Sequence, residues 1–158
     1  MKAVLDACVV YPTVLREILT GVAARGLYEP LWSERILREW VLATAKLGPV
    51  AQMQAEGAAL RMRANFPRAM TRAQGAIEAR LLLPDAGDVH VLAEEGIARR
   101  DPDGLLWELW SDQPDVVGAV VAGVHAEAER LAGQVLPLKA LMKRAQLPKL
   151  AKAMLAER

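Results

Sequence analysis

The chain opens with a short apolar run that ends on a carboxylate, Asp6, and Pro12 then leads into a stretch of helical period. An apolar run beside a helix pattern predicts a buried strand of a parallel sheet. Pro12 suits the first position of a helix, and Gly26 suits the position just past its end. The predicted helix has apolar residues at helical spacing: Val14, Leu15, Ile18, Leu19, Val22 and Ala23.

The same order of strand and helix follows once more. Residues 27–32 are extended in character and predict a second strand or its approach, and Ser33 is a good N-cap for a helix over 34–46. Gly48-Pro49 breaks the chain, so two more helices are predicted, at 50–64 and 67–79. A third apolar run, Leu81 to Leu83, predicts a third strand.

The last third of the chain is predicted to be helical. Asp101-Pro102-Asp103-Gly104 reads as a turn or cap, Pro114 begins a helix to about Leu131, and Pro137 begins another that Pro148 restarts or kinks. The C-terminal part has an apolar side beside a strongly basic one, which favours packing on its own domain, with binding to a partner chain or nucleic acid as the second interpretation. The prediction is an α/β domain over 1–131 and a C-terminal helical extension over 132–158, packed on the domain or on a partner.

Composition places this chain among ordinary globular proteins. Its 158 residues suit one domain. The single cysteine, Cys8, excludes an intramolecular disulfide and fits a reducing compartment. Asp6 interrupts the first apolar run, so no signal peptide is expected, and the longest uncharged stretch, 116–124, is too short to cross a bilayer. We therefore expect a cytoplasmic protein with no membrane partner.

The net charge of +1 hides a strong segregation of charge along the chain. Residues 61–84 have five arginines against one acid, residues 85–130 have three arginines against eleven acids, and residues 131–158 have six basic residues against one acid. Basic segments around an acidic middle suit a metal site near an anionic substrate. The best candidates for contact with phosphates lie in the first basic segment: Arg61, Arg63, Arg68 and Arg72.

Several carboxylates stand where chemistry is common in α/β proteins. Asp6 follows the first predicted strand, and ligands bind off the carboxyl ends of such strands, although an Asp there also serves as a helix cap. Asp85 and Asp88 follow the third apolar run in the same way. Glu39 lies at one margin of the apolar stripe of helix 34–46 and Glu34 at the other, and the pattern alone does not choose between them. His90, two residues after Asp88, is more readily interpreted as a structural histidine than as a catalytic one.

Three stretches together resemble the PIN-domain family, in its VapC-like branch of toxins from toxin–antitoxin pairs. They are residues 5–12 (LDACVVYP), the helix at 33–40 (SERILREW) and residues 83–93 (LPDAGDVHVLA). The resemblance covers about residues 1–131. It implies a PIN-like three-layer fold with a short central parallel sheet flanked by helices, here with extra C-terminal helices.

The resemblance also implies a metal-dependent ribonuclease. Matched by position, Asp6, Glu39 and Asp88 are the catalytic and metal-binding acids, and Asp85 is a supporting ligand, which selects Glu39 over Glu34. Hard cations such as Mg²⁺ or Mn²⁺ take oxygen ligands, and clustered carboxylates without a cation would repel one another. The implied partners are an RNA substrate, a cognate antitoxin and a second copy in a homodimer.

The chain departs from the family after Ala93. Members usually continue into another strand and a stretch with a further acid, whereas here Ala93 runs directly into Glu94-Glu95-Gly96-Ile97. Either residues are missing from the sequence at this point, which we favour, or the chain has a true deletion. The alternative function is therefore an inactive PIN-like nucleic-acid-binding or interaction module with an incomplete acidic site. A phosphoacceptor or phosphatase built on Asp6 is weaker, because the phosphatase pattern has a second Asp where Cys8 stands.

Overall fold

A computed structural model describes residues 1–71 and 101–156. The described residues form two compact units, one of residues 1–11 with 28–71 and one of residues 12–27 with 101–156. The predicted division at residue 131 stays a prediction. The elements in chain order are β1 Lys2–Val4, α1 Ala7–Val10, α2 Thr13–Ala24, β2 Glu29–Ser33, α3 Glu34–Thr44, α4 Pro49–Asn65, β3 Met70–Thr71, α5 Pro102–Asp112, α6 Pro114–Ala132, α7 Leu138–Arg144 and α8 Pro148–Ala156.

The first unit is built on a small parallel sheet in the order β1-β2-β3. Val4 lies opposite Leu31, and Trp32 lies opposite Met70. Leu31 and Trp32 are buried in the central strand, as expected for a parallel strand with both faces covered. With the helices around it, this sheet confirms the predicted α/β class.

Helix α3 begins where the sequence predicts. The Ser33 hydroxyl accepts a hydrogen bond from the Ile36 N–H at 3.2 Å, which makes Ser33 the N-cap of α3. Helix α3 contacts α4, which buries Ala55, Ala58, Ala59 and Met62. The separation of two packed helices depends on the side chains between them, and three of these four are alanines.

The second unit is entirely helical in its described part. Helix α2 contacts α6, α5 contacts both α6 and α8, and α7 contacts α8. Gly21 lets α2 approach α6, because a Cβ there would lie only 2.8 Å from Val120 Cγ1. Asp101 caps α5 by accepting from the Asp103 and Gly104 N–H groups, as its turn or cap pattern predicts. Pro148 restarts the chain as a separate helix.

Two predicted elements are wrong in detail. The predicted helix at 67–79 fails at Met70–Thr71, which pair with β2 as a strand, and the Trp32 N–H extends this pairing by donating to the Ala69 carbonyl at 2.9 Å. The first helix also differs, because the short α1 precedes Pro12, and Pro12 is the N-cap of α2. The third apolar run, 81–83, lies outside the described residues.

Candidate metal centre

Asp6 lies at the carboxyl edge of the parallel sheet. The Leu5 N–H donates to the Leu31 carbonyl at 2.8 Å, so pairing with β2 continues one residue past β1. Counted on from Val4 opposite Leu31, the same register brings Asp6 level with Ser33, the residue from which α3 begins. The Asp6 carboxylate therefore lies at the edge of the sheet where α3, the helix that carries Glu34 and Glu39, begins.

The Asp6 carboxylate is held by its own loop. Its Oδ1 accepts from the Ala7 N–H at 2.6 Å, and its Oδ2 accepts from the Cys8 thiol at 3.0 Å. The cap role that the sequence left open is therefore real, since Asp6 is the N-cap of α1. It leaves room for a ligand role, because each carboxylate oxygen has a second lone-pair site. These two contacts orient the half-buried side chain.

Glu34 lies at the margin of α3 that faces α4. Its Oε1 is 2.6 Å from Nη2 of Arg63, and its Oε2 accepts from Nε of the same guanidinium at 3.3 Å. Both residues line a groove of about 400 Å³ between α3 and α4, which Arg38, Leu42 and Leu60 also line. An arginine that the sequence predicts for phosphate contact is thus paired with a carboxylate of its own chain.

Glu39 lies on the opposite margin of α3 and does not line that groove. Its Oε1 accepts from Nε of Arg35 at 2.9 Å, one helical turn earlier. Its side chain is 37% exposed and that of Arg35 is 53% exposed, so the pair is solvated. Exposed ion pairs at this spacing are worth only about 0.3–0.5 kcal/mol, which a divalent cation easily outweighs. Glu39 therefore remains available as a ligand.

Some of the remaining predicted site residues lie in the part of the chain that the structure describes, and others lie outside it. Arg61 and Arg68 are exposed in the first unit. Arg72, Asp85, Asp88 and His90 lie outside the described residues, as does the junction of Ala93 with Glu94. Within residues 1–71 and 101–156 there is no group of three or more His, Cys, Asp or Glu side chains that would hold a metal ion. The two described candidates, Asp6 and Glu39, offer the hard oxygen donors that Mg²⁺ and Mn²⁺ prefer.

Two contacts of this region had weak or no signal in the sequence. The Cys8 thiol reaches Asp6 from two residues away, a spacing with no established motif. Arg63 and Glu34 are 29 positions apart, so only the packing of α4 on α3 reveals their pairing.

Comparison with known proteins identifies no relative, since the chain matches no protein-family model, no curated protein and no solved structure. In the part of the chain that the structure describes, no helix is both long enough and apolar enough to cross a membrane. Function must therefore be inferred from the chemistry of the residues themselves.

Proposed function

We propose that this protein is a metal-dependent endoribonuclease with a PIN-like three-layer fold, the toxin of a toxin–antitoxin pair. The observation that carries the proposal is Asp6 at the carboxyl end of β1, level with the start of α3 on the neighbouring parallel strand. This edge is where open α/β sheets bind their ligands. An RNA substrate, a cognate antitoxin and a homodimer belong to the same proposal.

Asp6 and Glu39, with Asp85 and Asp88, would hold Mg²⁺ or Mn²⁺. Such a cation, when bound, supplies an activated water and neutralises charge on the phosphodiester. The Ala7 N–H and the Cys8 thiol fix the orientation of Asp6, and Glu39, whose contact with Arg35 is exposed, would be free to turn to the cation. The exposed guanidinium groups of Arg61 and Arg68, with Arg72, contact the RNA backbone, whereas Arg63 first has to leave Glu34.

The test is cleavage of a fluorogenic single-stranded RNA with Mg²⁺ and with EDTA. Asp6→Asn should lower the cleavage rate by a factor on the order of 10³ or more, because the metal supplies several kcal/mol of transition-state stabilisation. Asn is a good N-cap, so α1 and the fold should survive. Asp101→Asn, the same change at the N-cap of α5, is the matched control and should cleave normally. Wild-type activity in Asp6→Asn would contradict the proposal.

The second candidate is an inactive RNA-binding module on the same fold. The departure from the family pattern after Ala93 favours it, because the sequence there runs directly into Glu94-Glu95-Gly96-Ile97 without the stretch in which family members have a further acid. It predicts salt-sensitive RNA binding through Arg61, Arg68 and Arg72 without turnover at any Mg²⁺ concentration. RNA affinity that is unchanged between low and moderate salt would count against this candidate, and Mg²⁺-dependent cleavage would exclude it.

A further inference from the structure

The last two helices form a compact pair joined by three residues. Helix α7 ends at Arg144, Ala145 to Leu147 form the turn, and α8 begins at Pro148. The Gln146 N–H donates to the Lys143 carbonyl at 3.1 Å, and the Leu147 N–H donates to the Met142 carbonyl at 3.0 Å. These two bonds make a Schellman motif, with Gln146 at a φ of 58° where glycine is usual. The turn therefore has one defined conformation.

The inner side of this helix pair is a closed apolar layer. Met142, Leu147 and Leu150 are fully buried, and Leu141, Ala145 and Ala151 are nearly so. A third helix, α5, supports the pair through its contact with α8. The Asp103 carboxylate of α5 accepts from the N–H groups of Lys149 and Leu150 at 2.7 and 2.9 Å, so α5 caps α8. Two helices joined by a turn of this length are the elements of a helix-turn-helix.

The ionisable side chains of the pair are all cationic. Between residues 138 and 156 every ionisable side chain is a lysine or arginine, and all five are exposed: Lys139, Lys143, Arg144, Lys149 and Lys152. The Lys149 ammonium lies 3.8 Å from the centre of the Trp107 ring, which holds it against α5. Among described residues, the other four form no ion pair with a carboxylate. Four such cations on two short helices make a surface for phosphates rather than for apolar partners.

We infer that residues 138–156 are a helix-turn-helix that binds duplex DNA through its phosphates. The second helix of such a motif enters the major groove while the first crosses the backbone. The exposed positions of α8 are Pro148, Lys149, Lys152, Leu155 and Ala156, and they include no Asn, Gln or Arg to read base edges. Binding is therefore independent of sequence. This activity is separate from the proposed ribonuclease and does not depend on it.

The test is fluorescence anisotropy of the full chain with a labelled 20-base-pair DNA duplex, in EDTA, over a series of NaCl concentrations. The wild-type protein should bind with a slope of log affinity against log salt of about −3 to −4, as four phosphate contacts require. The triple variant Lys139→Gln, Lys143→Gln, Arg144→Gln should bind at least about tenfold more weakly, with a slope near −1. Its RNA cleavage should be unchanged.

The matched control removes the same charge elsewhere, by Lys2→Gln, Arg38→Gln and Lys46→Gln, and should keep wild-type affinity for the duplex. All six positions are exposed, so both variants should fold, which circular dichroism checks. The inference is wrong if the wild type does not bind the duplex at 50 mM NaCl, or if both variants lose equal affinity. Equal competition by single-stranded RNA of the same length would also overturn it, because a helix-turn-helix requires a groove.

Discussion

Arg63 on α4 holds Glu34 at the first turn of α3 by two contacts, with Nη2 2.6 Å from Oε1 and Nε 3.3 Å from Oε2. This two-point contact joins residues with separate predicted roles, since Glu34 is a candidate acid of the site and Arg63 is a candidate for contact with phosphates. It occupies the margin of α3 that faces α4, and Glu39 lies on the other margin. Glu34 is therefore engaged by Arg63, and the choice of Glu39 as the helix acid stays a prediction.

Substituting Arg63 should affect RNA binding less than substituting Arg61. Arg63 is already paired with Glu34, so RNA must first displace that carboxylate, whereas Arg61 is exposed. Arg61→Gln should weaken RNA affinity and flatten its salt dependence by about one unit of slope. Arg63→Gln should change the slope by less, as measured by anisotropy of labelled RNA. A larger change in slope for Arg63→Gln would contradict this assignment.

The Glu34–Arg63 pair should contribute little to stability. Its side chains are 55% and 33% exposed, and such pairs are worth about 0.2–1 kcal/mol in double-mutant cycles. A cycle of Glu34→Gln and Arg63→Gln, measured by urea unfolding, should give a coupling energy in that range that falls at high salt. A salt-independent coupling of several kcal/mol would show that the pair is shielded from solvent.

Asp103 should be one of the most sensitive polar residues of the second unit. Leu147, the residue before α8, has no side chain that accepts a hydrogen bond, so the Asp103 carboxylate satisfies the first N–H groups of α8 in its place. Asp103→Ala should lower the free energy of unfolding by about 2 kcal/mol, because it leaves one buried and one half-buried N–H donor of α8 without a partner. Asp112→Ala, at an exposed position of the same helix, is the control and should stay within about 0.5 kcal/mol of wild type. Equal effects of the two changes would refute the capping role.

The sequence predicted those elements that have their own local chemistry. Ser33 and Gly26 mark helix ends by capping, and Pro114 and Pro148 mark helix starts by their fixed φ. Each of these patterns depends on only a few neighbouring residues, and all four predicted helix boundaries are present in the structure. Gly26, for example, has a φ of 80° just past the end of α2.

The elements that the sequence missed depend on partners far along the chain. β3 has only two residues and therefore no period, and it exists because β2 offers it hydrogen-bonding groups. The helix cap on α8 comes from Asp103, 46 positions earlier, so no local motif could predict it. For the candidate site, Asp6 was predicted at a strand end and is found there, whereas the pairing of Glu34 with Arg63 emerged only from packing.

Gln146→Gly should stabilise the protein. Gln146 has a φ of 58°, where a residue with a Cβ is strained by about 1–2 kcal/mol. Glycine relieves this strain, but its greater freedom in the unfolded chain offsets part of the gain in stability. We expect the free energy of unfolding to rise by about 0.5–1 kcal/mol. Ala140→Gly, at an exposed position inside α7, should lower it by about 1 kcal/mol. A loss of stability in Gln146→Gly would mean that the Gln146 side chain makes a contact that outweighs the strain.

Stability should fall at alkaline pH because of Tyr28. Burial raises the pKa of the Tyr28 phenol above its ordinary value of 10.0. As the pH rises, the phenol therefore loses its proton in the unfolded chain before it does so in the folded protein. The free energy of unfolding is unaffected by this group below pH 10 and declines above it, by up to about 1.4 kcal/mol per pH unit. Tyr28→Phe should flatten the decline in urea unfolding between pH 9 and 11, and Tyr11→Phe should not. If Tyr28→Phe loses stability at alkaline pH as steeply as wild type, other groups cause the decline.

The proposed ribonuclease requires that Asp6 and Glu39 bind one divalent cation. Its most direct test is Mn²⁺ binding to the purified protein, followed by the electron paramagnetic resonance signal of unbound Mn²⁺. Asp6→Asn and Glu39→Gln should each weaken Mn²⁺ binding by at least about tenfold, and Glu34→Gln should leave it unchanged. Mn²⁺ affinity that is equal in wild type, Asp6→Asn and Glu39→Gln would contradict the proposed metal site.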